Sequence, residues 1–506
     1  MSFTSLPFLL FLLILFPAYF LCPKRAQWGL LLLASYLFYA LGAPEALPYL
    51  ASTTVVTYLS GVLLERASKR IRKLVMAAAL LLLFGLLFTV KYFDFTATAL
   101  DNLFALLGIG ARLPRLGLLL PLGLSFYIFQ SVGYMLDVYR KKIKPDRNPL
   151  RLALFVSFFP QVIQGPIGRH GRLSETLYKP HRFDADQMKY GIQLMLWGAF
   201  KKMVIADRAA VLVDTVFSKY TSYGGALIFV GVIFYCLQIY CDFSGGIDMA
   251  RGVAQCLGIR MDENFRRPYF AGSVSEFWQR WHITLGSWMR DYLFYPIALS
   301  KPFAKLGKTL RRKWGRDAGK IVPASLATFV VFFVIGIWHG ASFKFVAFGL
   351  YNGVIITAST LLEKRYARIK KRLGIAPGNR KWRVFAILRT FLLLCVGRYF
   401  SRAATLMTSL RMMERTVTVP KFFQLADGTL LNLGLDVTDL IVLALSAALL
   451  FAVSFRQERG VEIRRSLEKR NFLTQWAVMV AAIVIILFFG IYRDSYVAQQ
   501  FIYAGF

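Results

Sequence analysis

Apolar runs close to the length of a bilayer crossing recur along this chain of 506 residues, among them 3–21, 74–90, 226–241, 321–338, 344–362, 438–454 and 472–491. Roughly 20 such residues in a helix cross the hydrocarbon. In lipid, an open sheet would leave backbone groups unpaired, so the runs must be helices. With 57% hydrophobic residues, 15% aromatic residues and a mean hydropathy of +0.52, the chain carries more apolar surface than a soluble core of this length hides. The expected fold is all-α: a polytopic membrane protein with about a dozen transmembrane or re-entrant helices. The first run has no basic segment ahead of it and no small-residue cleavage site after it, while Lys24 and Arg25 follow, so it reads as a retained span.

A net charge of +35 would point to nucleic acid in a soluble chain, but here the charges fall into short blocks between the apolar runs. The blocks 65–73, 140–147, 260–320, 363–372 and 456–470 are cytoplasmic by the positive-inside rule, which places both termini outside. Arg112 and Arg115, and the group Arg398, Arg402, Arg411 and Arg415, fall on the outer side against that rule. Orientation and contact with anionic membrane lipids account for most of these charges, and no nucleic-acid partner is expected. The five cysteines are scattered, without CxxC or Cys/His spacing, so no metal site, structural disulfide or cysteine nucleophile is expected. Two mirrored halves of the transporter type are not discernible. The chain reads as one integral membrane domain, 1–506, with its core motifs in 158–353 and a C-terminal group of spans and tail in 384–506. Segments 371–381 and 411–437 read as surface connections.

Only four histidines occur, and two of them lie in strongly apolar, aromatic surroundings: His282 in RWHITLGSWMRDYLFYP and His339 at the end of IVPASLATFVVFFVIGIWH. An ionisable group in hydrocarbon is costly and by default marks a functional site, the alternative being a neutral histidine hydrogen-bonded between helices. A helix begun near Ile321 rises about 27 Å by His339, which puts that residue deep or toward the outer side. Gly336 and Gly340 flank it and permit a break or a close backbone approach. A neutral imidazole in a water-poor site can take a proton from an attacking hydroxyl, as acyl transfer to an alcohol requires. Residues 260–296 mix aromatics with Arg280, Arg290, Asp291 and other charges, as suits an amphipathic segment at or entering the membrane. On a continuous helix His282 and Arg290 would share a face. Asp242, Ser244 and Asp248, inside or beside an apolar run, are expected to hold basic residues of 260–296 in place rather than to catalyse.

FFPQVIQGPIGRH (158–170), CDFSGGIDMARG (241–252), the block from Glu263 to Ile297, GIWHGASFKFVAFGLYNG (336–353) and the terminal FIYAGF (501–506) together resemble the membrane-bound O-acyltransferase family. Within it, the likeness is to the alginate O-acetylase-like branch of bacterial exopolysaccharide acetylases. The resemblance covers nearly the whole chain. It implies helices around a central funnel in the bacterial cytoplasmic membrane, acetyl-CoA as the cytosolic donor substrate, no permanently bound cofactor and a cell-surface polysaccharide as acceptor. It assigns the catalytic histidine to His339 and the second family histidine to His282. Asn264, Arg280, Trp281, Arg290, Asp291 and Trp338 are the candidates for positioning donor or substrate. The ending FIYAGF implies that Tyr503 relays the acyl group to an extracellular esterase-like partner of the SGNH-hydrolase kind, the alternative being an aromatic anchor at the membrane surface. Where many relatives read YIPLGGNR, this chain reads YPIALSKPF (295–303), so no residue is assigned to that loop. Two other readings stay open: D-alanyl or other acyl transfer from a carrier-protein thioester to a cell-wall polymer, and a transporter or polymer-export channel.

Overall fold

The computed structural model describes residues 1–376 and 378–491. Among these the regular structure is helical, with one isolated antiparallel bridge, Phe265 to Trp281. Among the described residues eight helices are long and apolar enough to cross a membrane, and Leu6–Leu21 and Gln27–Ala40 are shorter apolar helices. The outer surface explains the solvent: along Phe472–Phe489 only Ile486 is buried, while Leu473 is 76% exposed and Phe488 79%. A helix bare on nearly every side is stable only against hydrocarbon. The protein is therefore a multi-pass membrane protein.

Two of the eight crossings are absent from the apolar runs of the sequence. Pro44–Arg66 is diluted by threonines and serines, four of which (Thr53, Thr54, Thr57 and Ser60) are buried. Arg380–Arg402 is interrupted by Arg383, Arg389 and Arg398.

The chain forms two compact units, and the Gly225–Cys256 helix contributes its first part to one and its second part to the other. One unit comprises Met1–Val204, Cys241–Asp262 and the residues from Arg464 onward. In it the Ala185–Ala199 helix packs against the second part of Gly225–Cys256 in backbone contact. A Cβ on Gly198 would meet the Gly245 carbonyl oxygen at 2.5 Å, and one on Gly191 the Gly252 carbonyl oxygen at 2.7 Å. Small residues at this spacing bring two helices together as membrane helices commonly do. The π-helical turn Phe200–Ala206 follows directly and carries Lys201 and Lys202 into the interior.

The other unit comprises Ile205–Tyr240 and Glu263–Ile463. Its helix Lys301–His339 breaks at Gly315, whose φ of 88° is left-handed, and the strand of helix beyond the break runs roughly 35 Å to His339. There it meets Phe343–Leu361: a Cβ on Gly336 would lie 2.8 Å from Gly349 Cα and 2.5 Å from the Phe345 carbonyl oxygen. The two backbones touch one turn before the histidine, which fixes where the helix end stands.

Candidate functional site

The segment after Glu263 builds one wall of the site by a short local fold. Ser273 Oγ accepts from Glu276 N–H at 3.1 Å and starts the helix Val274–Arg280. The chain then returns beside its own beginning: Arg266 N–H donates to the Arg280 carbonyl at 2.8 Å, and Ile283 N–H to the Asn264 carbonyl at 3.0 Å. Between them His282 is forced into the left-handed region, φ 47° and ψ 52°. A non-glycine residue held there stores strain of order 1–3 kcal/mol, which persists only where the surroundings impose it.

Asn264 is what imposes it. Its side-chain oxygen accepts from Thr284 N–H at 3.0 Å and from the Thr284 hydroxyl at 2.9 Å, and it lies 3.2 Å from His282 Nδ1. Because a backbone N–H only donates, the atom is the amide oxygen, and His282 Nδ1 must be the donor. Burial, reinforced by the nearby His339, pushes the His282 imidazole well below its ordinary range. The ring is thus neutral, protonated on Nδ1, with its lone pair on Nε2.

His282 and His339 both pack against the Trp338 indole. The indole centroid is 5.9 Å from one imidazole and 5.1 Å from the other, and all three residues are buried. Phe348, 5.6 Å from the His339 ring, and Phe345 enclose it further. Trp278 ties this wall to the Phe343–Leu361 helix by donating to Asn352 Oδ1 at 3.1 Å. Behind His282, Trp281 packs edge-on against Phe265 at 4.9 Å and stacks on Phe277 at 5.4 Å. The Arg398 guanidinium lies over the Trp281 ring at 5.0 Å. The arrangement keeps both imidazoles against one indole, buried among aromatic rings and away from bulk water.

The other sequence candidates are placed as follows. Arg280 is bound by both oxygens of Glu458 at 2.9 Å and by Glu276 at 2.7 Å, while Arg267 donates to the same Glu458 at 2.8 Å. Arg290 is exposed and pairs with Asp291 at 3.2 Å, and it does not share a helix face with His282, because His282 caps the helix Ile283–Met289 and Arg290 opens a π-helical turn. The expected pairing of Asp242, Ser244 and Asp248 with residues 260–296 is corrected. Lys202 donates to Asp242 at 2.6 Å, and Lys201 to Asp248 at 2.7 Å and to Ser244 at 2.9 Å. A buried carboxylate needs a cation delivered into the interior with it, and Lys201 and Lys202 are themselves buried, whereas Arg266, Arg267 and Arg280 are taken up by Glu263, Glu276 and Glu458. His282 and His339, which come from distant parts of the sequence, meet at one indole. Tyr503 lies outside the described residues. Arg398 and Glu458 were not singled out, the first because it read as a topology charge, the second because it lies 178 residues from Arg280.

Comparison with known proteins adds three likenesses and a family match. The model of the MBOAT, membrane-bound O-acyltransferase family matches residues 140–311. "Probable alginate O-acetylase AlgI" of Pseudomonas aeruginosa PAO1 is 32% identical over 87% of this chain and 80% of its own length. The protein of the same name from Pseudomonas putida KT2440 is 31% identical over 96% of both chains. "Peptidoglycan O-acetyltransferase" of Helicobacter pylori 26695 is 28% identical over 76% of this chain and 73% of its own.

Proposed function

Given that the chain belongs to the membrane-bound O-acyltransferase family and is an acyltransferase, we propose that it moves acetyl groups from cytosolic acetyl-CoA across the bacterial cytoplasmic membrane for O-acetylation of a cell-surface or secreted polysaccharide. The observation that carries the reading is the pair of buried histidines about Trp338. The names of the relatives support acetyl as the group and a glycan as its destination.

In this mechanism His339 takes the proton from the acceptor hydroxyl as its oxygen attacks the thioester carbonyl. The C–S bond breaks, and the thiol leaves with a proton. His282 contributes through Nε2, which only accepts a hydrogen bond in the tautomer that Asn264 imposes. It therefore holds an N–H or O–H of donor or acceptor and does not stabilise an oxyanion. Tyr503 is the expected first acceptor, passing the acetyl group to an extracellular hydrolase-like partner. Both termini lie outside in this topology.

The test is mass spectrometry of the purified protein after incubation with labelled acetyl-CoA, in wild type and in His339→Ala. Label on the wild type alone is expected. Absence of label from both, with label entering instead from a D-alanyl carrier-protein thioester, would replace acetyl by D-alanyl.

A further inference from the structure

A second polar site lies in the unit that does not contain His282 and His339. There a cleft of about 710 Å³ opens between the segment 175–187, the end of the Gly225–Cys256 helix with the turn after it, and Arg464. Five cations line it: Lys179, Arg182, Arg251, Arg260 and Arg464. The carboxylates in the same lining are Glu175 and Asp184, and Asp184 is already committed to capping the helix Ala185–Ala199 through two N–H bonds.

The cations divide by role. Arg251 and Arg464 are half-buried, while Lys179, Arg182 and Arg260 are exposed. Arg464 is fixed before any ligand arrives: its Nη1 donates to the Tyr190 carbonyl at 3.1 Å and to Gln255 Oε1 at 3.2 Å, and its guanidinium lies 5.3 Å over the Tyr190 ring. That leaves Nε and Nη2 to serve the cleft. Burial and the neighbouring Arg251 both disfavour the Arg464 charge, and Asp248, 3.7 Å from Arg251, offsets this only in part. Two half-buried guanidiniums that feel one another's charge, with three further cations against two carboxylates, line a cleft whose charge is unbalanced. The forked donors match a tetrahedral oxyanion in two directions. The volume admits more than a bare ion.

We propose that this cleft binds a phosphate monoester, carried by a soluble phosphate or by a lipid headgroup. The net of three positive charges suits a dianion rather than a carboxylate. The cleft contains neither His282 nor His339, and its test does not read acetylation.

The experiment uses the full chain purified in detergent and in phosphatidylcholine nanodiscs. Inorganic phosphate is the soluble probe. Phosphatidic acid, a lipid monoester, is the membrane probe, with the diester phosphatidylglycerol as comparison. Binding of inorganic phosphate or phosphatidic acid is expected, and it should weaken by about tenfold or more in Arg251→Gln/Arg464→Gln. Since that variant removes half-buried groups, Lys179→Gln/Arg182→Gln/Arg260→Gln, on exposed residues, provides a second reading with the same expected loss. Removing three exposed charges elsewhere, as in Arg368→Gln/Lys370→Gln/Lys371→Gln, should change nothing. Binding by phosphate assigns the soluble source and binding by phosphatidic acid alone the lipid source. The proposal is overturned if neither inorganic phosphate nor phosphatidic acid binds, if phosphatidylglycerol binds as well as phosphatidic acid, or if the distant charge variant weakens binding as much as the cleft variants.

Discussion

Arg398 lies with its guanidinium carbon 5.0 Å over the ring of Trp281, the residue whose backbone leads directly into the strained His282. Arg398 is 4% exposed, so the contact is desolvated and supports the rear of the site. Arg398→Met keeps the bulk of the stem and removes the charge. A contact of this kind is worth about 2 kcal/mol when desolvated. A lower thermal midpoint in detergent and a several-fold drop in acetyl transfer are expected. A variant as stable and as active as wild type would show that the cation only fills space.

Loss of the base should be the most damaging change. His339→Ala is expected to lower transfer by about 100- to 10,000-fold with expression and membrane insertion intact. His282→Gln should cost less and act mainly on the response to donor concentration. Equal and total loss in both variants, with donor binding unchanged, would instead assign proton transfer to the pair.

Asn264 yields a prediction with a sign. The His282 ring stays neutral well below the ordinary histidine value of about 6.5, so the acid limb of the pH–rate profile should lie below that value. In Asn264→Asp a carboxylate would accept from Nδ1–H, favour the imidazolium and raise its pKa, moving the limb to higher pH. Asn264→Leu should abolish the limb along with most of the activity. An unmoved limb in Asn264→Asp would exclude His282 as the group that sets it.

Gly336→Ala places a methyl where the Gly349 backbone stands, 2.8 Å away. Helices forced apart in a packed interior cost about 1–3 kcal/mol, and here the displaced element ends in His339. Thermal unfolding and transfer should both fall, and Gly349→Ala should reproduce the effect. Wild-type values in both variants would mean that the close approach has no consequence for the site.

The relay is tested by Tyr503→Phe, which keeps the ring and removes only the hydroxyl. The variant should insert and bind donor normally, yet fail to deliver acetyl to polysaccharide. A phenolic ester has a better leaving group than an alkyl ester, which is why this residue type suits a carrier. Normal acetylation by Tyr503→Phe would reduce FIYAGF to an anchor.

Most crossings are legible in the sequence because hydrocarbon tolerates so little besides apolar side chains. Arg380–Arg402 is not, since a cation that stacks on Trp281 looks the same in one dimension as a cation that orients a loop. The histidines stand out by rarity and surroundings. Their shared indole does not, because His339 reaches Trp338's neighbourhood by helix packing and His282 by a turn closed across 18 residues to Asn264. The aspartates were legible as partners of something. The nearest basic block in sequence was the wrong choice because Lys201 and Lys202 sit alone on a π-helical turn, within a stretch that reads as apolar helix.

Those lysines also set an order of assembly. The chain is made from its N-terminus, and Lys202 precedes Asp242, and Lys201 Asp248, by 40 and 47 residues. Their helix is thus synthesised before the carboxylates that neutralise it exist, at a time when carrying two ammonium groups into hydrocarbon is opposed by several kcal/mol. Only once the Gly225–Cys256 helix has emerged does each lysine meet its carboxylate, so neither ammonium can be buried in its final place before that helix arrives.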